Sequence, residues 1–169
     1  MSALALLGLM LYFGGRAEEG GLAREAAPPF TLASTAGGSV SLSDYAGRNV
    51  LLYFNEGAGC DACFYQMVEL ERNADRLAKA GVEVVPIVAN PVEVVAGELR
   101  RFGLRTPYLI DEGTVVSRAY DMLGKGMHAN LPGHGFVLVD GGGQIRWTRE
   151  YPSMFVSVED LLEALPALA

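Results

Sequence analysis

Two cysteines three residues apart, Cys60 and Cys63, are the side chains of this 169-residue sequence best suited to chemistry, and the chain has no others. They lie in Asn55-Glu-Gly-Ala-Gly-Cys-Asp-Ala-Cys63, between an apolar run and a predicted helix. Gly57 and Gly59 permit a tight turn, which puts Cys60 at the helix N-terminus and Cys63 in its first turn. At that spacing the two Cα atoms lie near the separation a disulfide requires, so the bond can close with little backbone movement. The free N–H groups and partial positive charge of a helix start stabilise a thiolate, the reactive form of cysteine. Asp61 and Glu56 oppose that effect, so the thiol is expected to be less acidic than that of a strongly oxidising dithiol. A CxxC at the strand-to-helix turn of a βαβ unit reads as a redox pair. The alternative is two small buried hydrophobes at a helix start. The glycine-rich loop before them, expected to be exposed, argues for the redox reading.

The chain has only two histidines. His128 falls in an irregular stretch and reads as structural. His134 stands just before a core strand. With two cysteines in all, a four-cysteine zinc site, an iron–sulfur cluster with four cysteine ligands and a multi-disulfide scaffold are excluded within one chain. The formal charge of −7 argues against nucleic acid or an anionic membrane surface as the main partner, since phosphate binding needs a basic footprint. No cofactor is implied.

The elements that must position the pair can be read from pattern. Asn49-Val-Leu-Leu-Tyr-Phe54 is a near-continuous apolar run, as in a strand buried on both faces. A helix is predicted from about Asp61 to Ala80, with Met67, Leu70, Ala74 and Leu77 on one face and Gly81 as its stop. Val82 to Ala89 is the next strand, with Pro86 an objection. Asn90-Pro91-Val92-Glu93 predicts an N-cap at Asn90 with proline at the first helical position. That helix buries Val95, Leu99 and Phe102 and ends at Gly103. Pro107–Ile110 is a third core strand, and Val115–Leu123 a short helix. Gly135–Val139 and Gln144–Trp147 flank a Gly-rich turn as a hairpin, and a last helix runs from about Val158 to Leu168 with Ser157 as cap. Trp147, Tyr151, Met154 and Phe155 are expected to pack that helix. Two short strands, Phe30–Leu32 and Val40–Leu42, precede all of this. The order implies a mixed sheet sandwiched by helices, an α/β fold.

The N-terminal residues are of another kind. Residues 3–13 are mostly apolar, and as a helix would extend about 16 Å, roughly half a bilayer core. They read either as the end of a membrane anchor, which would leave the domain membrane-attached on the extracytoplasmic side, or as an apolar helix that packs on a partner or on the domain, with a cytoplasmic location as the alternative. Residues 14–27 are small, charged and broken by Gly and Pro, a predicted linker. The folded domain is expected over 28–169.

From Pro28 to the C-terminus the sequence resembles the thioredoxin-fold redoxins of the alkyl hydroperoxide reductase/thiol-specific antioxidant (peroxiredoxin) superfamily. The residues that carry the resemblance are Ser41-Leu-Ser-Asp-Tyr-Ala-Gly-Arg-Asn-Val-Leu-Leu-Tyr-Phe54, Gly59-Cys-Asp-Ala-Cys-Phe-Tyr-Gln66, Pro107-Tyr-Leu-Ile-Asp111, Ser117-Arg-Ala-Tyr-Asp121, Gly133-His-Gly-Phe-Val-Leu-Val-Asp140 and Gln144-Ile-Arg-Trp147. It is most similar to membrane-anchored actinobacterial redoxins with Gly-Cys-x-x-Cys-x-x-Gln and a Gly-His-x-Phe strand. The resemblance implies a thioredoxin-like mixed central sheet flanked by helices, with an N-terminal β extension.

It also implies roles. Peroxiredoxins carry Thr-x-x-Cys, whose cysteine attacks peroxide; Cys63 holds that position and Cys60 replaces the threonine. Their activating arginine corresponds to His134, a weaker anion partner when neutral. Thioredoxin-like reductases instead attack with the first cysteine, here Cys60, and place a cis-proline where His134 stands; Pro132 falls two residues early. The implied activity is thiol–disulfide exchange with a protein partner or hydroperoxide reduction, with Cys60, Cys63 and His134 as catalytic residues. His134 would face the start of the CxxC helix and assist proton transfer to the thiolates. Thioredoxin-fold copper chaperones look similar here, and Cys60, Cys63 and His134 would make a soft copper set, a binding-module alternative.

Overall fold

A computed structural model describes residues 25–168. The apolar segment 3–13 and most of the expected linker lie outside the described residues. The last three linker residues belong to the fold instead. Ala26 bridges Gln144, Ala27 N–H donates to Gly143 O (2.9 Å), and Ile145 N–H donates to Glu25 O (2.8 Å).

Seven strands form one mixed sheet: β1 (Thr31–Ser34), β2 (Ser39–Ser41), β3 (Asn49–Phe54), β4 (Val82–Val88), β5 (Leu109–Ile110), β6 (Gly135–Val139) and β7 (Ile145–Glu150), in the order β2-β1-β5-β4-β3-β6-β7. β3 pairs parallel with β4 and antiparallel with β6. The helices are α1 (Asp61–Arg72), α2 (Ala74–Lys79), α3 (Val92–Phe102), α4 (Val115–Ala119) and α5 (Val158–Ala164).

The apolar run of β3 follows from its central place. Leu51 and Tyr53 face a core built with Phe64 and Leu70 of α1, Val95 of α3 and Leu161 of α5. Val50, Leu52 and Phe54 face the other, with Val116 of α4 and Tyr120. A strand covered on both faces has no position for an exposed polar residue.

Several expected boundaries move for local reasons. The predicted helix over 61–80 is two helices. At Asn73 the backbone leaves helical geometry, and Asn73 Nδ2 donates to Glu69 O at 2.9 Å, a side-chain competitor for the helix ladder. Pro86 stays in the sheet because its nitrogen faces the β5 side. Ile87 O accepts from Asn55 on the β3 side, so Pro86 points the opposite way, and the β5 ladder begins only at Ile87. Pro91, not Asn90, is the N-cap of α3, and Gly103 closes that helix in the left-handed region as predicted. Ser157 caps α5 through Asp160 N–H, but α5 ends at Ala164. Trp147 and Tyr151 join the core beside α5, whereas Phe155 is exposed. No described peptide bond is cis, Pro132 included.

Candidate active site

β3 delivers the chain into the loop Asn55–Cys60, and α1 starts immediately after it. Asn55 Oδ1 accepts from Gly57 N–H (3.0 Å), which folds the loop back on itself. Asn90 Oδ1 accepts from Ala58 N–H at 2.9 Å. The asparagine expected to cap α3 therefore holds the CxxC loop. The approach is close enough to require glycine at 57: its φ is +72°, and a Cβ there would lie 1.9 Å from Asn90 Oδ1. The loop is also less exposed than its composition suggests. Asn55, Glu56 and Gly57 are buried, and only Ala58 and Gly59 approach the surface.

Cys60 is the N-cap of α1 and is joined to Cys63 by a disulfide, with Cα atoms 5.4 Å apart. Cys63 N–H donates to Cys60 O (3.0 Å) and to Cys60 Sγ (3.2 Å). The sulfur thus takes the place of the usual side-chain oxygen cap, where the helix field favours negative charge. Cys60 keeps 5% of its surface exposed and Cys63 none.

Neither acidic neighbour stands as a free charge against the pair. Asp61 forms an ion pair with Arg101 of α3. Glu56 is buried; its Oε1 accepts from His128 N–H and its Oε2 lies 3.1 Å from His128 Nδ1. A Cβ on Gly126 would fall 2.3 Å from Glu56 Oε1, so the 124–133 stretch lies directly on this carboxylate. His128 thus clasps the buried Glu56 carboxylate through its backbone N–H and its ring.

His134 is 1% exposed and does sit against α1, but its ring is engaged on both sides. Nδ1 lies 3.2 Å from the hydroxyl of Tyr53, which donates to Cys63 O at 3.0 Å. Nε2 lies 3.4 Å from Gln66 Oε1. Burial lowers the His134 pKa to about 4, so the ring is neutral at neutral pH. The copper set is not assembled: the two sulfurs are bonded to each other and both ring nitrogens have partners. Among the described residues no three His, Cys, Asp or Glu side chains are grouped to hold a metal ion.

Residues 23–148 match the AhpC/TSA family. The chain belongs to that family. Among AhpC/TSA relatives, peroxiredoxin Q of Sedum lineare chloroplasts is 28% identical over 141 residues, 83% of this chain and 74% of that one. Peroxiredoxin Bcp of Escherichia coli is 33% identical over 103 residues, 61% of this chain and 66% of that one. Curated relatives from Mycobacterium tuberculosis are matched over 63% of their length. The fold agrees. Peroxidoxin BcpB of Mycobacterium tuberculosis superposes with a TM-score of 0.71 at 18% identity, over 83% of this chain and 94% of that one. The reduced 2-Cys peroxiredoxin of Plasmodium vivax gives 0.73 at 20%, over 83% and 78%. This AhpC/TSA chain therefore has the thioredoxin-like mixed sheet its sequence implied. The membrane-anchored subtype is not carried by these matches, and among the described residues no helix is long and apolar enough to cross a membrane.

Three residues escaped the reading of the sequence. Gln66 stands in the resembling motif without a role, Tyr53 reads only as one apolar member of β3, and Asn90 reads as the cap of α3 although its side chain holds the CxxC loop. The motif was the one signal that could have singled out Gln66.

Proposed function

We propose that the protein is a thiol-dependent peroxidase whose Cys60–Cys63 pair cycles between dithiol and disulfide, reducing a hydroperoxide at the expense of an external thiol. The observation that carries this is the disulfide at the N-cap of α1 in an AhpC/TSA chain. In the reduced protein the Cys63 thiolate attacks the hydroperoxide, the O–O bond breaks, an alcohol or water leaves with a proton, and Cys63 becomes a sulfenic acid. Cys60 attacks that sulfur, the S–S bond forms and water leaves. A reductant thiolate then attacks the disulfide, and a second thiol completes its reduction. The residual exposure of Cys60 supports it as the sulfur that meets the reductant.

One observation favours dithiol–disulfide exchange with a partner protein instead. Where peroxidases carry an arginine, His134 is neutral and engaged by Tyr53 and Gln66, so it supplies no cation to Cys63. In that reading Cys60 attacks first. Single variants separate the two. Rapid, stoichiometric sulfenic acid at Cys63 of Cys60→Ser, at rates far above a free thiol, is the peroxidase outcome. Inertness of that variant to peroxide, with a partner trapped on Cys60 of Cys63→Ser, is the exchange outcome. Two alkylatable thiols after mild oxidation of the wild type would sink both.

Attachment to a membrane through residues 3–13 is the finer reading of this protein's setting, supported by the apolar composition of that segment. Flotation of the full chain with lipid vesicles, and its loss when residues 1–24 are removed, tests it.

A further inference from the structure

Asp61 is the first residue of α1 and stands between the two cysteines in the chain. Its Cα is one peptide, about 3.8 Å, from that of Cys60. A carboxylate suits this place as far as the helix is concerned, because the N-terminus favours negative charge. It does not suit the neighbouring sulfur. Cys60 Sγ already accepts from Cys63 N–H, a setting that favours a thiolate, and a like charge one residue away opposes it.

Arg101 meets that carboxylate. Its Nη2 donates to Asp61 Oδ2, and its Nη1 donates to Glu98 Oε2 at 2.8 Å. The guanidinium carbon stands 4.5 Å from the centre of the Phe102 ring. Phe102 is itself fixed on α1: its ring stacks on Phe64 at 5.0 Å and meets Tyr65 edge-on at 5.2 Å. Arg101 also lies in the last turn of α3, where a helix favours a cation. A half-exposed arginine ordinarily ranges over many rotamers; two carboxylates and an aromatic face hold this one beside the CxxC. Among the described residues Asp61 has no other ion-pair partner. The remaining nearby carboxylate, Glu56, is taken up by His128.

We propose that Arg101 is a positioning residue for the redox pair: held by Glu98 and Phe102, it binds the Asp61 carboxylate and cancels the negative charge next to Cys60, so that the reduced Cys60 sulfur ionises as it would beside a neutral residue. The inference rests on the reading that the pair cycles through a dithiol. It holds for either order of attack, since Cys60 must react as a thiolate both on a Cys63 sulfenic acid and on a partner disulfide. In the step that Arg101 serves, the Cys60 S–H bond breaks, its proton leaves to water and the electron pair stays on sulfur. Arg101 touches neither sulfur and acts through Asp61. Both members of the ion pair are half exposed, so water and salt weaken the effect, and losing the cation changes the reactive fraction by about two- to fivefold.

The test is the rate of alkylation at Cys60 in the reduced full chain at neutral pH, read by peptide mass spectrometry. At low salt Arg101→Gln should slow iodoacetamide by about two- to fivefold, and should slow the anionic iodoacetate more. Both losses should fade in about 1 M sodium chloride, where the Debye length is about 3 Å. Arg101→Lys should keep most of the wild-type rate. Asp61→Asn alone leaves the cation unopposed and should react faster than wild type. Asp61→Asn combined with Arg101→Gln has no carboxylate left to cancel and should return to within about twofold of wild type. A merely structural arginine would give a loss that ignores salt and that Asp61→Asn does not restore. Either of those results, or an unchanged rate in Arg101→Gln at low salt, would overturn the proposal. If Arg101→Gln fails to fold, Asp61→Asn decides, and a rate at or below wild type counts against it. Neither reagent is a peroxide, so absence of peroxide consumption with these ratios intact would sink the peroxidase reading alone.

Discussion

The backbone N–H of Cys63 points at the sulfur of Cys60, 3.2 Å away, so the helix that carries both cysteines is capped by one of them. A sulfur at a helix N-cap shares its surroundings with the least satisfied donors of the helix. Because Cys60 is also the sulfur with residual exposure, reduced protein treated briefly with iodoacetamide should be modified first at Cys60. Peptide mass spectrometry reads the site, and modification first at Cys63 would contradict the expectation.

Gly57→Ala should destabilise the protein by about 1–3 kcal/mol. It combines a positive φ with a Cβ placed on Asn90 Oδ1. Gly59→Ala has a positive φ but open space around the added carbon and should cost less, about 1–2 kcal/mol. Urea unfolding of the two variants compares them; equal losses would mean that the Asn90 contact does not hold the loop.

Asn90→Ala should cost about 1 kcal/mol for the lost bond to Ala58, with little change in the helicity of α3, because Asn90 does not cap it. A marked loss of helical circular dichroism in the folded variant would restore the capping role expected from the sequence.

Glu56→Ala leaves His128 N–H without its partner and opens space beneath Gly126. Amide hydrogen exchange should accelerate through residues 124–133 while the core strands β3 and β6 stay protected. Uniform acceleration across the sheet would show that the carboxylate supports the whole fold instead.

Stability of the oxidised protein should fall as pH drops from 6.5 towards 4. His134 has a pKa of about 4 in the folded chain, against 6.5 when unfolded. Between those values the unfolded state binds the extra proton, so stability rises with pH across the window and this contribution is complete above it. The contribution is on the order of 3 kcal/mol. His134→Gln should flatten this part of the profile, measured as the difference between variant and wild-type unfolding free energies at each pH. A profile with the same slope in both would contradict it.

The local features were legible in the sequence because each is decided within a few residues. Cys60 at the helix start, Gly103 and Ser157 as caps, and the apolar run of β3 all follow from neighbours along the chain. What the sequence hid are pairings between distant residues. Tyr53 meets His134 only because β6 lies beside β3, and Gln66 meets Val156 only because α1 and the segment before α5 cover the same face. Asn90 was misread for a related reason. Its position before proline suits a cap, yet its side chain is claimed by a loop 32 residues earlier. Glu56 reads as a charge opposing the thiolate because nothing nearby in sequence announces the His128 stretch that covers it.

The Cys60–Cys63 bond closes a ring within the first turn of one helix. A cross-link spanning so few residues restricts the unfolded chain by only about 2 kcal/mol, less than half of what a bridge between distant parts of a domain would contribute. Breaking it leaves the sheet and its two cores still joined by packing alone. The bond is therefore a poor staple and, for the same reason, one that the proposed cycle would open and close at little cost to the fold.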